Sequence, residues 1–139
     1  MRELPRQLTV DELAELFSGR TRLVERLAGC KNPLAVAREV VAEASEDEKA
    51  EALAAHPRIG ERSPEQHGED PCVLAELAAL NAAYEQRFGF RFVVFVNGRS
   101  RAELLPVLRE RMQRTRSEEL ATGCDDLVSI ALDRWQKAA

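Results

Sequence analysis

The sequence predicts an all-α fold, a single compact domain of about seven to nine helices over residues 1–139. Three observations carry that prediction. A Ser or Thr stands three residues ahead of a Glu at Thr9, Ser45, Ser100 and Thr115, the pattern in which an N-cap hydroxyl and an N3 carboxylate satisfy each other's backbone donors. Apolar residues recur every three or four positions through most of the chain. Only one stretch, residues 90–96, has a strand-like composition, and a lone strand would have nothing to pair with.

From the N-terminus, the first helix opens at Thr9 with Glu12 as capping partner, and Leu13, Leu16 and Phe17 form its apolar stripe. Gly19 is its expected stop. The second carries Leu23, Val24 and Leu27 and ends at Gly29. The third begins at Pro33, since proline is welcome in a first turn, and presents Val36, Val40 and Val41. Ser45 and Glu48 cap the fourth, which ends at His56-Pro57, where proline blocks continuation. Ser63-Pro64-Glu65-Gln66 reads as another helix start, with Ser63 at the N-cap and Gln66 at N3.

Val73, Leu77, Leu80, Tyr84 and Phe88 mark the clearest helix, stopped by Gly89. Residues 90–96 leave three readings open: a strand, a buried helix or an irregular buried segment. Asn97-Gly98 is a turn. The helix capped by Ser100 and Glu103 is lined by Leu104, Leu105, Leu108 and Met112, and Pro106 inside it is expected to kink it or delay its start. The last helix starts near Thr115, with Glu118 at N3 and a stripe of Leu120, Cys124, Leu127, Val128, Ala131 and Trp135. Gly123 is expected to weaken it by up to about 1 kcal/mol against alanine.

Composition narrows the function classes. Hydrophobic residues make up 45% of the 139, as in globular proteins. Charged residues make up 32% with a formal net charge of −4, which argues against a nucleic-acid partner. No stretch has the length of a membrane-spanning helix, and the N-terminus lacks the apolar core of a signal peptide, so a cytoplasmic protein is expected. Cys30, Cys72 and Cys124 match no zinc or CxxC spacing and read as reduced thiols, with Cys72 the most exposed.

The candidate chemistry gathers around "AAHPRIGERSPEQ". His56 is suited to moving protons near neutral pH, although on local pattern alone it reads first as a cation near a helix C-terminus. Glu65 and Gln66 would lie in the first turn of the next helix, where backbone N–H groups can hold an anionic group, or they merely complement that helix end. A His and a Glu across one short loop can share a small polar substrate. His67 reads as solvated, and Arg58, Arg62, Arg87, Arg91 and Arg99 as mostly surface charges. No metal-ligand spacing or Gly-rich phosphate loop appears, so no metal is expected.

"AAHPRIGER", "SPEQ" and above all "LNAAYEQRFGFRFVVFVNGRS" give the chain a resemblance to the OHCU decarboxylases of urate degradation, which act on 2-oxo-4-hydroxy-4-carboxy-5-ureidoimidazoline. A shorter match is Glu103-Leu104-Leu105 with "LRERM", and the resemblance covers most of residues 9 to 135. It implies an all-α, cofactor-independent carboxy-lyase that is a homodimer and takes a small ureidoimidazoline substrate. The catalytic residues it implies are His56 and Glu65. The substrate-binding ones are Pro57, Ser63, Gln66 and the segment Phe92, Val93, Val94, Phe95 and Val96. It also implies that residues 90–96 are helical or irregular. Arg91 and Pro106 depart from the pattern, Arg91 standing where a proline is common. A different class stays open, a non-catalytic helical ligand-binding or protein-interaction module on the same scaffold.

Overall fold

The structure, a computed structural model, describes residues 1–59 and 70–138. Among the described residues seven helices form: α1 (Val10–Phe17), α2 (Arg22–Ala28), α3 (Pro33–Glu43), α4 (Glu46–Ala54), α5 (Pro71–Phe88), α6 (Arg101–Arg111) and α7 (Arg116–Lys137). None of the described residues is in a strand, so the all-α expectation is borne out. The helix start expected at Ser63 to Gln66 lies outside the described residues.

Local chemistry sets these boundaries. All four capping boxes form, with Thr9, Ser45, Ser100 and Thr115 each accepting from the N3 backbone and Glu12, Glu48, Glu103 and Glu118 reaching back. α5 starts earlier than its apolar stripe, because Asp70 caps the Cys72 N–H at 2.7 Å and Pro71 takes N1. It ends at Gly89 in the left-handed conformation, φ 80°. Pro106 does not delay α6, which begins directly on its Ser100 cap. Pro106 is on an exposed face, where the one carbonyl left without an N–H partner can be hydrated.

Two glycines do something other than expected. The left-handed cap of α1 is Ser18, φ 66°, and not Gly19. Gly19 instead lets the end of α1 lie against the end of α4, since a Cβ there would sit 3.2 Å from the Ala55 Cβ. Gly123 lets α7 approach α4, where a Cβ would meet Leu53 Cδ2 at 3.3 Å. The propensity α7 forgoes is matched to a close packing that alanine would disturb.

α7 packs against α1, α3 and α4, and α5 pairs with α6. The stripes of α1, α2 and α7 are buried as expected, apart from a half-buried Trp135. α3 turns Leu34, Ala37 and Val41 inward, leaving Val36 and Val40 half-buried, because the helical period places 34, 37 and 41 on one side.

Residues 91–96 are irregular, neither helix nor strand, and Phe92, Val93 and Val94 are buried. Side chains satisfy the backbone here in place of a ladder. Arg111 Nη1 donates to the Val93 carbonyl at 3.0 Å, and the Phe95 N–H donates to Asp126 Oδ2 at 3.1 Å. Arg111 is itself buried, with Nε 2.8 Å from Glu119 Oε1 and its guanidinium over the Phe92 ring. Tyr84 Oη donates to the same Glu119 oxygen at 2.7 Å, so a buried carboxylate, a cation and a phenol brace the segment from below. The Asn97-Gly98 turn, both residues at positive φ, closes its far end through Arg99 N–H to the Val96 carbonyl at 3.0 Å.

Candidate active site

The end of α4, the irregular segment and the last turns of α7 enclose a cavity of about 280 Å³. His56, Pro57, Arg58 and Ile59 form one wall, Phe92 through Arg99 another, and Ile130, Asp133, Arg134 and Lys137 of α7 a third. The structure therefore brings together seven of the expected site residues: His56, Pro57, Phe92, Val93, Val94, Phe95 and Val96. Glu65, Ser63 and Gln66 lie outside the described residues, as does His67.

His56 follows α4 at the break its proline neighbour imposes, and its backbone N–H donates to the Leu53 carbonyl at 3.2 Å. Its side chain is 4% exposed. Nδ1 lies 3.4 Å from Ser18 Oγ, which accepts a 2.7 Å hydrogen bond from Arg134 Nη1. Arg134 occupies one of that hydroxyl's two lone pairs, so Ser18 can donate to Nδ1 or accept from it, according to the imidazole tautomer. Nε2 is buried and has no partner among the described residues. A buried polar nitrogen without a partner costs roughly 1–3 kcal/mol, which a ligand reaching it would recover.

Burial, followed by the Arg134 and Arg91 charges, holds the His56 pKa down to about 4. The imidazole is neutral at physiological pH. This corrects the expectation that it titrates near neutrality: surrounding cations and a dry setting both disfavour the imidazolium.

The cavity wall is rich in positive charge. Among the described residues, Arg58, Arg99, Arg134 and Lys137 line it, against the carboxylate of Asp133, which pairs with Lys137 at 2.9 Å. Arg58 forms a two-pronged pair with Glu85 at 2.6 and 2.9 Å and holds that carboxyl below its usual range. Arg99 folds back onto the Phe95 and Val96 carbonyls at 2.6 and 3.1 Å. Reading the arginines as surface charges therefore holds for Arg87 but not for Arg58, Arg91 or Arg99, each half-buried, with Arg58 tied to Glu85 and the other two hydrogen-bonded to the site's walls. Arg62 lies outside the described residues.

Ser18 and Arg134 escaped the sequence reading. Arg134 did leave a signal, since it stands three and seven residues beyond Ala131 and Leu127, on the buried side of α7. A cation at a core-facing position is a candidate ligand partner. Ser18 left none, because its neighbours in space come from α4 and α7. Cys72 is exposed, Cys30 half-buried and Cys124 buried, all as free thiols. No cluster of three or more His, Cys, Asp or Glu that could hold a metal ion occurs among the described residues. None of the described helices is long and apolar enough to cross a membrane.

Fold and site together define a small all-α protein with a buried, neutral imidazole at a cavity lined by several cationic side chains. The chain belongs to the OHCU decarboxylase family, whose model matches residues 2–136. It is 28% identical over 111 residues to a uric acid degradation bifunctional protein of Bacillus sp., covering 71% of this chain and 22% of the relative. It is 28% identical over 141 residues to a 2-oxo-4-hydroxy-4-carboxy-5-ureidoimidazoline decarboxylase of Haloferax volcanii, covering 88% of this chain and 83% of that one. A crystal structure of an OHCU decarboxylase in the presence of (S)-allantoin superimposes with a TM-score of 0.80 at 26% identity, covering 91% of this chain and 96% of the other. The chain spans only about a fifth of the length of the Bacillus relative.

Proposed function

We propose that this chain is a cofactor-independent carboxy-lyase that converts 2-oxo-4-hydroxy-4-carboxy-5-ureidoimidazoline to (S)-allantoin in urate degradation. The observation that carries the reading is His56 Nε2, without a partner among the described residues, in a cavity lined by Arg134, Lys137, Arg58 and Arg99. That arrangement suits a substrate with one carboxylate and several amide groups. Family membership and the relative solved in the presence of (S)-allantoin support the same substrate.

The chemistry needs few protein groups. Breaking the bond between the substrate ring and its carboxylate leaves an electron pair on the ring carbon. The adjacent C=N bond takes up that pair as CO2 departs, and its nitrogen gains a proton from solvent. The resulting enol loses its hydroxyl proton, and the carbon bearing the ureido group gains one. His56 carries the proton, and delivery from one side of the ring makes the product optically active. Such acid–base help is typically worth about a hundred- to ten-thousandfold in rate. Glu65 orients the hydroxyl or ureido group, with Gln66, Ser63 and Pro57 binding the ring. The backbone of Phe92, Val93, Val94, Phe95 and Val96 offers amide partners. The family resemblance supports a homodimer, for which sedimentation of the purified protein is the test.

Purified protein added to freshly generated substrate is expected to release CO2 and give optically active allantoin. His56→Asn is expected to abolish this and keep the helical circular dichroism. Allantoin formed at the uncatalysed rate and racemic would overturn the reading and favour a ligand-binding module. Thermal stabilisation by allantoin without turnover would favour that module too.

A further inference from the structure

We infer that Arg91 is a positioning residue for His56: its guanidinium ties down the turn of chain that carries the imidazole. Arg91 Nη1 donates to the Ala54 carbonyl at 2.8 Å and to the carbonyl of His56 itself at 2.6 Å. Both acceptors lie at the C-terminal end of α4, where carbonyls lack helical partners and the helix dipole favours a cation. Arg91 sits between Phe90 and Phe92, both buried, so its own backbone is anchored in the aromatic cluster around Tyr84. One side chain therefore joins two walls of the cavity, the turn after α4 and the irregular segment. Together with Ser18 on the ring and the Leu53 carbonyl on the His56 N–H, it fixes His56 at three points. Arg91 does not line the cavity, so its action on a substrate is exerted through His56.

The charge matters as well as the hydrogen bonds. Among the described residues, the charged and polar groups around His56 are Arg134 and the Asp133–Lys137 pair from α7, Ser18 at the end of α1, Arg58 (paired with Glu85 of α5), Arg99 beyond the turn, and Arg91. Of these, Arg134 and Arg91 act to keep the imidazole deprotonated. Removing the Arg91 charge makes the imidazole easier to protonate, while keeping charge with a different shape separates the two effects.

The functional half of this inference rests on the proposed decarboxylase reading, so the test has two readouts. The first is the His56 imidazole titration followed by NMR, in a His67→Gln background that leaves one histidine signal. The second is kcat and KM for decarboxylation. Arg91→Met is expected to raise the His56 midpoint by a few tenths of a pH unit, since the Arg91 charge is the smallest of the three effects that lower it. It should lower kcat roughly tenfold, with KM changed by less than about threefold. Arg91→Lys, which keeps the charge, should hold the midpoint near that of the parent and recover part of kcat. An unmoved midpoint in Arg91→Met with kcat within about twofold of the parent overturns the inference. If Arg91→Met does not fold, Arg91→Gln is read by the same criteria. A parent protein that shows no decarboxylation overturns the functional proposal, and the titration still decides what Arg91 does to His56.

Discussion

Ser18 Oγ lies 3.4 Å from His56 Nδ1 while accepting a 2.7 Å hydrogen bond from Arg134 Nη1. Three residues from α1, the turn after α4 and α7 thus form one chain of donors and acceptors that ends at Nε2, which has no partner among the described residues. The approach depends on the left-handed Ser18 and on the missing side chain at Gly19. Ser18→Gly separates the two duties of this residue. Glycine adopts φ 66° without the roughly 1–2 kcal/mol that an L-residue loses there, so the stability should stay within about 1 kcal/mol of the parent. The lost hydroxyl leaves Nδ1 unanchored, and kcat should fall roughly tenfold. A fall in stability with unchanged kcat would show that the contact is structural only.

Arg134 has two duties as well, since it donates to the Leu16 carbonyl at the end of α1 and lines the cavity. Arg134→Met should raise KM for an anionic substrate about tenfold or more, the loss of one charge-assisted contact. Arg134→Lys should regain part of that, being a cation without the planar fork. Equal KM values in all three proteins, measured at one ionic strength, would remove Arg134 from ligand binding.

The buried set under the irregular segment makes a prediction about stability. Glu119 is fully buried and Arg111 nearly so, with Nε and Oε1 2.8 Å apart. Arg111→Met leaves the buried carboxylate with the half-buried Arg114, 3.1 Å from its other oxygen, and should cost up to about 3–5 kcal/mol in urea unfolding. The double variant Arg111→Met, Glu119→Leu should recover a good part of that, because no uncompensated charge remains. Activity should stay low in both, since Val93 loses its carbonyl partner in either case. Recovery of activity in the double variant would show that the Val93 contact is dispensable.

How much of this was legible in the sequence follows from the range of the forces involved. The four capping boxes, Pro33 at N1 and the stop at Gly89 are contacts within a few residues, and each is visible in the sequence. The irregular segment was not decided by its composition, because its shape is set by Arg111 and Asp126, which arrive from later helices. The "LNAAYEQRFGFRFVVFVNGRS" resemblance narrowed it to helical or irregular, and the structure gives irregular. At the site, His56 and Pro57 announced themselves by a helix break. Ser18 and Arg91 did not, since their roles arise only where α1 and residues 91–96 meet the end of α4. The expectation of a near-neutral His56 failed for the same reason: sequence shows the imidazole but not the burial and two cations around it.

That depressed pKa makes the stability of the fold depend on pH in a defined window. The folded value is about 4 against 6.5 for an unperturbed histidine. Between those values the unfolded chain binds more protons than the folded one, so stability rises with pH there and is lost as pH falls from 6.5 toward 4. Above 6.5 both states carry a neutral imidazole and the effect is flat. Over the whole window the difference is worth roughly 3 kcal/mol at about 1.4 kcal/mol per unit. Several carboxylates with lowered values, such as Glu48 and Glu85, lose stability at lower pH and would blur a single profile. The comparison is therefore between the parent and His56→Asn, in which those groups and His67 cancel. The difference in urea midpoint between the two proteins should change steadily from pH 6.5 to 5 and stay constant from pH 7 to 8. A difference that does not vary with pH would mean that His56 titrates normally, and the neutral imidazole assigned to the resting site would be wrong.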